Sequence, residues 1–214
     1  MKMIGGFSKV RLRENDAWVK VGIVKDDFRD PLESLTGKWQ NWLNLVARIV
    51  DIPVALVMRL HEDSIEVYLH NESPENPYQA GEQARLGLGL YCETVIATQK
   101  PFLIPDATRN EIWKDNPDVA LRMISYLGYP VNWPDGKAFG TLCILDRKEN
   151  QFTFLIQDLL LEIRKSMEDD LAYLVKDQAL KESESRFRQA FQLPLLGLVR
   201  SEERRVGKEC RSRW

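Results

Sequence analysis

The sequence predicts an α+β domain in which helices pack on a central antiparallel sheet. Two segments, 54–70 and 123–145, each contain two apolar runs joined by a short polar or Pro-Gly turn. Such tight joints connect antiparallel neighbours, whereas parallel strands need a long crossover. Helical patterns precede and follow these segments. The resulting order of helices and strands is typical of the α+β class.

The first helix is predicted from about residue 35 to residue 50. Five apolar side chains recur there at intervals of four and three residues, which places them on one helix face. They are Leu35, Trp39, Trp42, Val46 and Ile49. Residues 1–32 show a mixed pattern with one short apolar run at 18–24. We expect them to form a loose leader with one strand or helical turn.

The segment after the first helix predicts a hairpin, a loop, a short helix and a strand. The nearly continuous apolar run at 54–60 is typical of a central strand covered on both faces, and the alternating run at 65–70 of a half-buried neighbour. Residues 71–81 are rich in proline and asparagine and predict a loop. A short helix is expected at 90–98 and a strand at 102–104.

Residues 109–118 predict a long polar connection with one large aromatic side chain, and this makes the segment a candidate binding loop. Apolar runs at 123–131 and 138–145 follow it. The joint between them contains Pro-Asp-Gly, which predicts a hairpin turn because proline presets the first torsion and glycine accepts a positive φ. Gly128 and Gly140 predict a bulge or a close backbone approach within these strands.

The chain from Phe154 to about Phe191 contains no glycine or proline and predicts one long helix. Its apolar stripe recurs on average every 3.5 residues, the spacing of a coiled-coil seam. The stripe consists of Leu160, Ile163, Met167, Leu171 and Leu174. Either the helix covers the sheet or it pairs with a second copy as a parallel dimeric signalling helix. Its polar continuation at 176–185 favours the dimer.

The composition is that of an ordinary globular protein, with 44% hydrophobic and 29% charged residues among 214. It excludes collagen-like, mucin-like and disordered classes. The basic segment Arg200–Trp214 would by itself predict an arm that binds nucleic acid or membrane. However, it resembles, residue by residue, the in-frame translation of a sequencing-library adapter, and we expect it to be an artefact. Without its six basic and three acidic residues the net charge moves from −2 to −5, and neither nucleic-acid nor membrane binding is predicted.

Two cysteines then remain, Cys92 and Cys143, with no secretory leader before them. This usage fits a reducing compartment, so we expect a cytoplasmic location. No apolar stretch approaches the roughly 20 residues needed to cross a bilayer. Both cysteines are interpreted as core residues, since a thiol is often buried and the neighbouring Glu93 would raise the pKa of Cys92.

Several motifs in combination resemble the GAF domains of bacterial sensor proteins, over about residues 33–172. They are Asn-Pro-Tyr at 76–78, Gly-Leu-Tyr-Cys-Glu-Thr-Val at 89–95, Trp113 with Asn-Pro-Asp at 116–118, Met-Ile-Ser-Tyr-Leu-Gly-Tyr-Pro at 123–130, and Trp-Pro-Asp-Gly at 133–136 with Phe-Gly-Thr-Leu-Cys-Ile-Leu-Asp at 139–146. The resemblance implies a GAF-like central antiparallel sheet, followed by a long signalling helix.

A second, shorter resemblance is to the opening of a PAS domain. It is carried by Lys-Glu-Ser-Glu-Ser-Arg-Phe-Arg at 181–188, then Phe191, Pro194 and Gly197. The two resemblances imply a modular sensor, of which this chain is the part before the effector. Its expected divisions are a leader at 1–32, a GAF domain at 33–153, a linker helix at 154–186, a truncated PAS start at 187–199 and the adapter segment at 200–214. Parents of this kind are sensor histidine kinases or diguanylate cyclases.

The GAF resemblance also implies a ligand cleft over the sheet, closed by the connection at 109–118. An apolar wall with a few polar anchors would suit a small amphipathic molecule. The expected ligand-binding residues are Tyr91, Glu93, Trp113, Asn116, Asp118, Met123, Ser125 and Tyr126. Alternatively, these residues only attach a loop to the sheet, in a GAF domain that serves solely for dimerisation.

No metal, haem or covalent bilin site is predicted, so the cofactor is unknown. His61 and His70 have no cysteine or histidine at ligand spacing, and no Cys-His pair is present for a bilin. The cyclic-nucleotide GAF signature would place Asn and Lys after the last strand, where this chain has Asp146 and Arg147.

The leading functional hypothesis is a cytoplasmic, non-catalytic sensor that binds a small ligand and forms a homodimer through its last helix. It would pass a conformational change to the downstream PAS and effector domains. An alternative is a thiol-based GAF enzyme of the free methionine sulfoxide reductase type. That enzyme would require Cys92 and Cys143 to lie within disulfide reach.

Overall fold

The computed structural model describes residues 5–12, 17–24 and 29–209. Its elements, in chain order, are β1 Gly5–Leu12, β2 Ala17–Val24, α1 Arg29–Val50, β3 Val54–Leu60, β4 Ser64–His70, β5 Gln83–Arg85, α2 Tyr91–Thr98, β6 Phe102–Ile104, a short 3-10 helix Ala107–Arg109, α3 Pro117–Ala120, β7 Ser125–Asn132, β8 Ala138–Asp146 and α4 Phe154–Glu209. Residues 1–4, 13–16 and 25–28, in the predicted leader, and residues 210–214 lie outside the described residues.

Six strands form the antiparallel sheet, in the order β6, β7, β8, β3, β4, β5. The two middle strands, β3 and β8, are buried along their whole lengths. The neighbouring β4 is buried at its start and half-buried towards its end. These patterns confirm the predicted central strand and its half-buried partner. The α+β class with an antiparallel sheet is likewise confirmed.

The N-terminal region is more ordered than the predicted leader. Strands β1 and β2 pair with each other along their full lengths, and β2 meets β8 through a parallel pairing of Ile23 with Ala138. Val10 and Val21 are 0% and 8% exposed, so the hairpin adds apolar surface to the core. The expectation of one strand or helical turn was therefore wrong. The first helix also begins earlier than predicted, at Arg29.

Different helices cover the two faces of the sheet. Side chains alternate along a strand, so Val67 and Tyr68 of β4 point to opposite faces. Val67 belongs to the core cluster that includes α2 residues, and α2 packs against β7 and β8. Tyr68 instead meets Trp39 of α1 edge-on, with the ring centroids 6.4 Å apart. The Trp39 indole donates to Asp170 of α4 at 2.9 Å, which joins the two long helices on that second face.

Three residues of the predicted seam of the last helix are fully buried within a single chain. Leu160, Met167 and Leu171 are each 0% exposed. Helix α4 itself extends to Glu209, beyond the end expected near Phe191. Two leucines and the methionine of the predicted seam therefore pack inside the chain.

The predicted hairpin between β7 and β8 is confirmed, and its turn contains Gly136 at φ +79°. The expected close approaches are found as well. A Cβ atom at Gly140 would overlap the carbonyl oxygen of Met58, and one at Gly128 would overlap the ring of Tyr126. Glycine at 140 allows β8 to lie against β3, and glycine at 128 leaves room for the Tyr126 side chain.

Candidate functional site: an apolar cavity with a buried thiol pair

The face of the sheet that carries α2 contains a cavity of about 390 Å³. Residues of the central strands form its floor, and the segments 78–90, which includes β5, and 117–121, which includes α3, form its rim. Most of the wall is aliphatic, contributed by Leu56, Met58, Ile65, Val67, Leu88, Leu90, Leu121 and Leu145. The polar groups are few: Tyr78, Glu82, Gln83, Asp118, Tyr126, Cys92 and Cys143. This composition suits a small molecule with an apolar body.

One hydrogen bond joins two sides of the cavity rim. The Tyr78 hydroxyl donates to Asp118 Oδ1 at 2.7 Å. Asn116 caps and orients the start of α3, which carries Asp118, since its side chain accepts from the Asp118 amide and donates to the Gly89 carbonyl. Burial raises the pKa of Asp118 to about 6, although the bond from Tyr78 opposes the shift. Burial and the nearby Asp118 raise the pKa of Tyr78.

The two cysteines meet at the cavity wall. Cys92 lies in the first turn of α2 and Cys143 in the centre of β8, and their sulfur atoms are 4.0 Å apart. Thr141 Oγ1 donates to the Cys92 sulfur at 3.4 Å, and the Tyr126 hydroxyl lies 3.4 Å from the same sulfur. Both thiols are free and buried. Cys92 therefore has three neighbouring groups that can donate a hydrogen bond to it.

These neighbours separate the acidities of the two thiols. The hydrogen bond from Cys143 lowers the pKa of Cys92, and those from Thr141 and Tyr126 lower it further, against the effect of burial. The same bond, together with burial, raises the pKa of Cys143. The expected increase in the pKa of Cys92 through Glu93 is thus corrected: hydrogen bonds to the sulfur act in the opposite direction.

Glu93 has a different role from the ligand contact that we expected. Its carboxylate is 0% exposed and accepts four backbone N–H groups. They are the amides of Gly87 at 2.7 Å, Gly89 at 2.9 Å, Arg11 at 3.0 Å and Leu90 at 3.1 Å. Glu93 therefore holds the loop before α2 in place and attaches it to β1.

Three predicted site residues form an aromatic cluster behind the cavity. The ring of Tyr91 lies 5.1 Å from Trp113 and 4.8 Å from Tyr126, and Trp113 also contacts Phe102. Of the four aromatic residues Tyr91, Trp113, Tyr126 and Phe102, only Tyr126 also lines the cavity. Trp113 is 1% exposed, so it attaches the connection at 109–118 to the sheet.

Of the eight predicted ligand-binding residues, Asp118 and Tyr126 line the cavity. The other six do not line it. Among them, Met123 is 0% exposed, and Ser125 donates to the Pro105 carbonyl at 2.6 Å and contacts the Lys148 carbonyl.

Sequence reasoning did not identify Tyr78 or the floor of the cavity. Tyr78 belongs to the Asn-Pro-Tyr motif, and its position in a loop rich in proline was the available signal. Leu56 and Met58, and likewise Ile65 and Val67, are two residues apart on one strand face. That spacing predicts a shared face but not whether the face is covered or open.

Among the residues that the structure describes, no three His, Cys, Asp or Glu side chains are grouped to hold a metal. Within the same residues, no helix combines the length and apolar character needed to span a membrane. His61, one of the two histidines considered for metal binding, lies 2.6 Å from Glu66 through Nε2.

Comparisons with known proteins identify the fold. A family model described as GAF domain matches residues 39–167. No curated protein matches the sequence. Among solved structures, the GAF domain of an Acinetobacter phosphoenolpyruvate-protein phosphotransferase aligns with a TM-score of 0.55 and 16% identity, over 68% of this chain and 86% of that chain.

Two further structures show the range of proteins with this fold. The blue-light absorbing form of the Thermosynechococcus elongatus PixJ GAF domain aligns with a TM-score of 0.58 and 11% identity, over 74% of this chain and 95% of that one. A free methionine-R-sulfoxide reductase from Neisseria meningitidis, in complex with its substrate, aligns with a TM-score of 0.55 and 14% identity, over 66% and 80%. At these identities the likeness concerns the fold alone.

Proposed function

The chain belongs to the GAF domain family, and we propose that it is a cytoplasmic, non-catalytic sensor module of a larger signal-transduction protein. The observation that carries the proposal is the cavity of about 390 Å³ with its aliphatic wall. A cavity of this kind binds a small molecule through burial of apolar surface. The Tyr78–Asp118 hydrogen bond lies at the rim, where a ligand with a donor group would compete for the carboxylate.

Binding is tested with phenylnaphthylamine, a neutral apolar dye whose fluorescence rises in apolar surroundings. Ala84 lines the cavity and is partly buried, whereas Ala80 is exposed and lies outside it. We expect Ala84→Trp to fill the cavity and abolish dye binding, and the matched Ala80→Trp to leave it unchanged. Equal binding by both variants, or no binding by the natural chain, would contradict the ligand proposal.

We further propose that α4 forms a homodimer and carries the signal towards a PAS domain and an effector. Support comes from a second apolar stripe on α4, formed by Tyr173, Leu180 and Phe187, which are 67%, 60% and 64% exposed. These residues are seven apart, the repeat of a coiled coil. We call these three residues the outer stripe and the buried Leu160, Met167 and Leu171 the inner stripe. Because the inner stripe is buried within one chain, the outer stripe is the better candidate for the dimer contact. A dimer without any dye binding would favour a purely structural GAF domain.

A thiol-based enzyme remains a second candidate, because the Cys92 and Cys143 sulfur atoms are only 4.0 Å apart. The neighbouring hydrogen-bond donors favour the reactive thiolate form of Cys92. This candidate predicts turnover of free methionine sulfoxide in the presence of a dithiol reductant, with activity lost in Cys92→Ser. Absence of turnover in the natural chain would exclude this activity.

A further inference from the structure

The thiol pair has a geometry suited to reversible disulfide formation. The two sulfur atoms are 4.0 Å apart, whereas a disulfide bond is about 2.05 Å long. An approach of about 2 Å by one residue would close that gap. Cys92 is in a short helix and Cys143 in the central strand of the sheet. Rotation of either cysteine side chain, or a shift of the first turn of α2, would bring them together.

The surroundings assign different roles to the two sulfur atoms. A thiolate carries no proton, so the Thr141 hydroxyl, the Tyr126 hydroxyl and the Cys143 thiol would all donate to an ionised Cys92. Thr141 and Cys143 are two residues apart on one face of β8, which aims both towards the same sulfur. Cys92 is thus the nucleophile of the pair, and Cys143 is the thiol available to resolve its oxidised form.

One carboxylate opposes ionisation of Cys92, and a second belongs to the next residue in the chain. Asp118 raises the pKa of Cys92, but as the smallest of the contributions. Glu93, the next residue in the chain, directs its oxygens at four backbone amides instead. Each of its oxygens accepts two N–H groups, so its charge is balanced by the start of the helix and by β1.

We infer that Cys92 and Cys143 form an oxidant-responsive dithiol that reacts with organic hydroperoxides admitted through the apolar cavity. This inference rests on the proposed function, because it names the chemical class of molecule that the cavity admits. The aliphatic wall favours a hydroperoxide with an apolar body over hydrogen peroxide.

The reaction takes two steps. The Cys92 thiolate attacks the terminal oxygen of ROOH, the O–O bond breaks, and the alkoxide that leaves takes up the proton that Cys92 released on ionisation to become ROH. Cys92 is then a sulfenic acid. The Cys143 sulfur attacks the sulfenic sulfur, the S–S bond forms as the S–O bond breaks, and the departing hydroxide combines with the Cys143 proton as water. Two thiols are oxidised and one hydroperoxide is reduced to an alcohol.

Disulfide formation would change both the cavity and the N-terminal hairpin. The first turn of α2 is preceded by Leu90, which lines the cavity. It also includes Glu93, which accepts the Arg11 amide of β1. A disulfide would change the binding wall directly, because both cysteines line it, and a shift of this turn would also loosen the hydrogen bond to the hairpin. Oxidation would in this way convert a chemical event at Cys92 into a structural change.

The test uses the full chain with Cys210→Ser, which leaves the buried pair as its two cysteines. Cumene hydroperoxide is added at pH 7 and the product is followed by mass spectrometry after thiol alkylation. We expect a disulfide between Cys92 and Cys143, a sulfenic acid at Cys92 that dimedone traps in Cys143→Ser, and no sulfenic acid in Cys92→Ser. Circular dichroism verifies that both serine variants fold.

The decisive comparison is between folded and urea-unfolded chain. An ordinary buried thiol reacts faster once unfolding exposes it. We expect the reverse, with Cys92 reacting at least about tenfold faster in the folded chain, since a free cysteine is only a few per cent thiolate at pH 7. Thr141→Val removes one donor and should slow oxidation and move its pH profile upward. Faster reaction in urea, or no disulfide in the folded chain, would overturn the inference.

Substrate class and cavity binding are separated by two more measurements. Cumene hydroperoxide should react faster than hydrogen peroxide, and Ala84→Trp should slow only the former; equal rates would overturn the assignment to organic hydroperoxides. If phenylnaphthylamine fails to bind while the disulfide still forms, the ligand-binding proposal fails and the dithiol chemistry stands. If the dye binds and no disulfide forms, the dithiol inference alone is overturned.

Discussion

Leucine-to-alanine substitutions in the two apolar stripes of α4 should change the free energy of unfolding by very different amounts. Leu171, on the inner stripe, is 0% exposed, whereas Leu180, on the outer stripe, is 60% exposed. Truncation of a buried leucine to alanine lowers the free energy of unfolding by about 2–5 kcal/mol. With a urea m-value of about 2 kcal/mol per molar, Leu171→Ala should lower the urea midpoint by roughly 1–2.5 M. Leu180→Ala should change the free energy of unfolding by no more than about 0.5 kcal/mol.

The unfolding assay is circular dichroism at a protein concentration low enough to keep the chain monomeric. Association is measured separately by sedimentation equilibrium, where Leu180→Glu should weaken the dimer because a charge enters a coiled-coil seam. An unchanged urea midpoint in Leu171→Ala would refute the inner packing of α4. An unchanged dimer in Leu180→Glu would refute the outer stripe as the contact.

Three further predictions concern the core and the cavity rim. Glu93→Gln should lower the free energy of unfolding by roughly 2–6 kcal/mol, because an amide NH₂ replaces one oxygen and leaves two backbone donors unpaired; urea titration that shows less than about 1 kcal/mol would contradict this. The pKa of Asp118 is raised to about 6, so the folded chain binds its proton more tightly than the unfolded chain. Its contribution to stability is complete below pH 4 and falls as the pH rises to 6, by at most about 3 kcal/mol; thermal unfolding of Asp118→Asn should lack that decrease. Gly140→Ala should destabilise by at least about 2 kcal/mol through overlap with the Met58 carbonyl, whereas Gly37→Ala, with open space around it, should be neutral or stabilising in calorimetry.

Local patterns were sufficient for the centre of the sheet. The apolar runs that became β3 and β8, and the Pro-Asp-Gly joint before β8, depend on short-range propensity and on burial of both strand faces. The N-terminal hairpin was missed because its strands carry mixed sequences. The two strands are stabilised by pairing with each other and by the burial of Val10 and Val21. Such pairing involves residues outside any short window.

In the candidate site, too, some residues were identified from the sequence and others only from the tertiary structure. Asp118 and Tyr126 were found by resemblance to a family, and both line the cavity. Tyr78 contributed to that resemblance only as part of the Asn-Pro-Tyr motif, although its hydroxyl forms a hydrogen bond with Asp118, 40 positions further along the chain. The sequence gives no sign of that contact, because it depends on how the segment that carries Tyr78 lies against α3, which carries Asp118.

The sequence by itself determined the class of the fold, the order of its main elements, and the presence of Cys92 and Cys143 and of an apolar stripe on the last helix. Tertiary structure decided what those features face. Cys92 and Cys143 are 51 positions apart, and they meet because α2 packs on β8. The inner stripe of α4 is covered within the chain and the outer stripe is exposed. Periodicity places side chains on a common face, but only packing determines which surface covers that face.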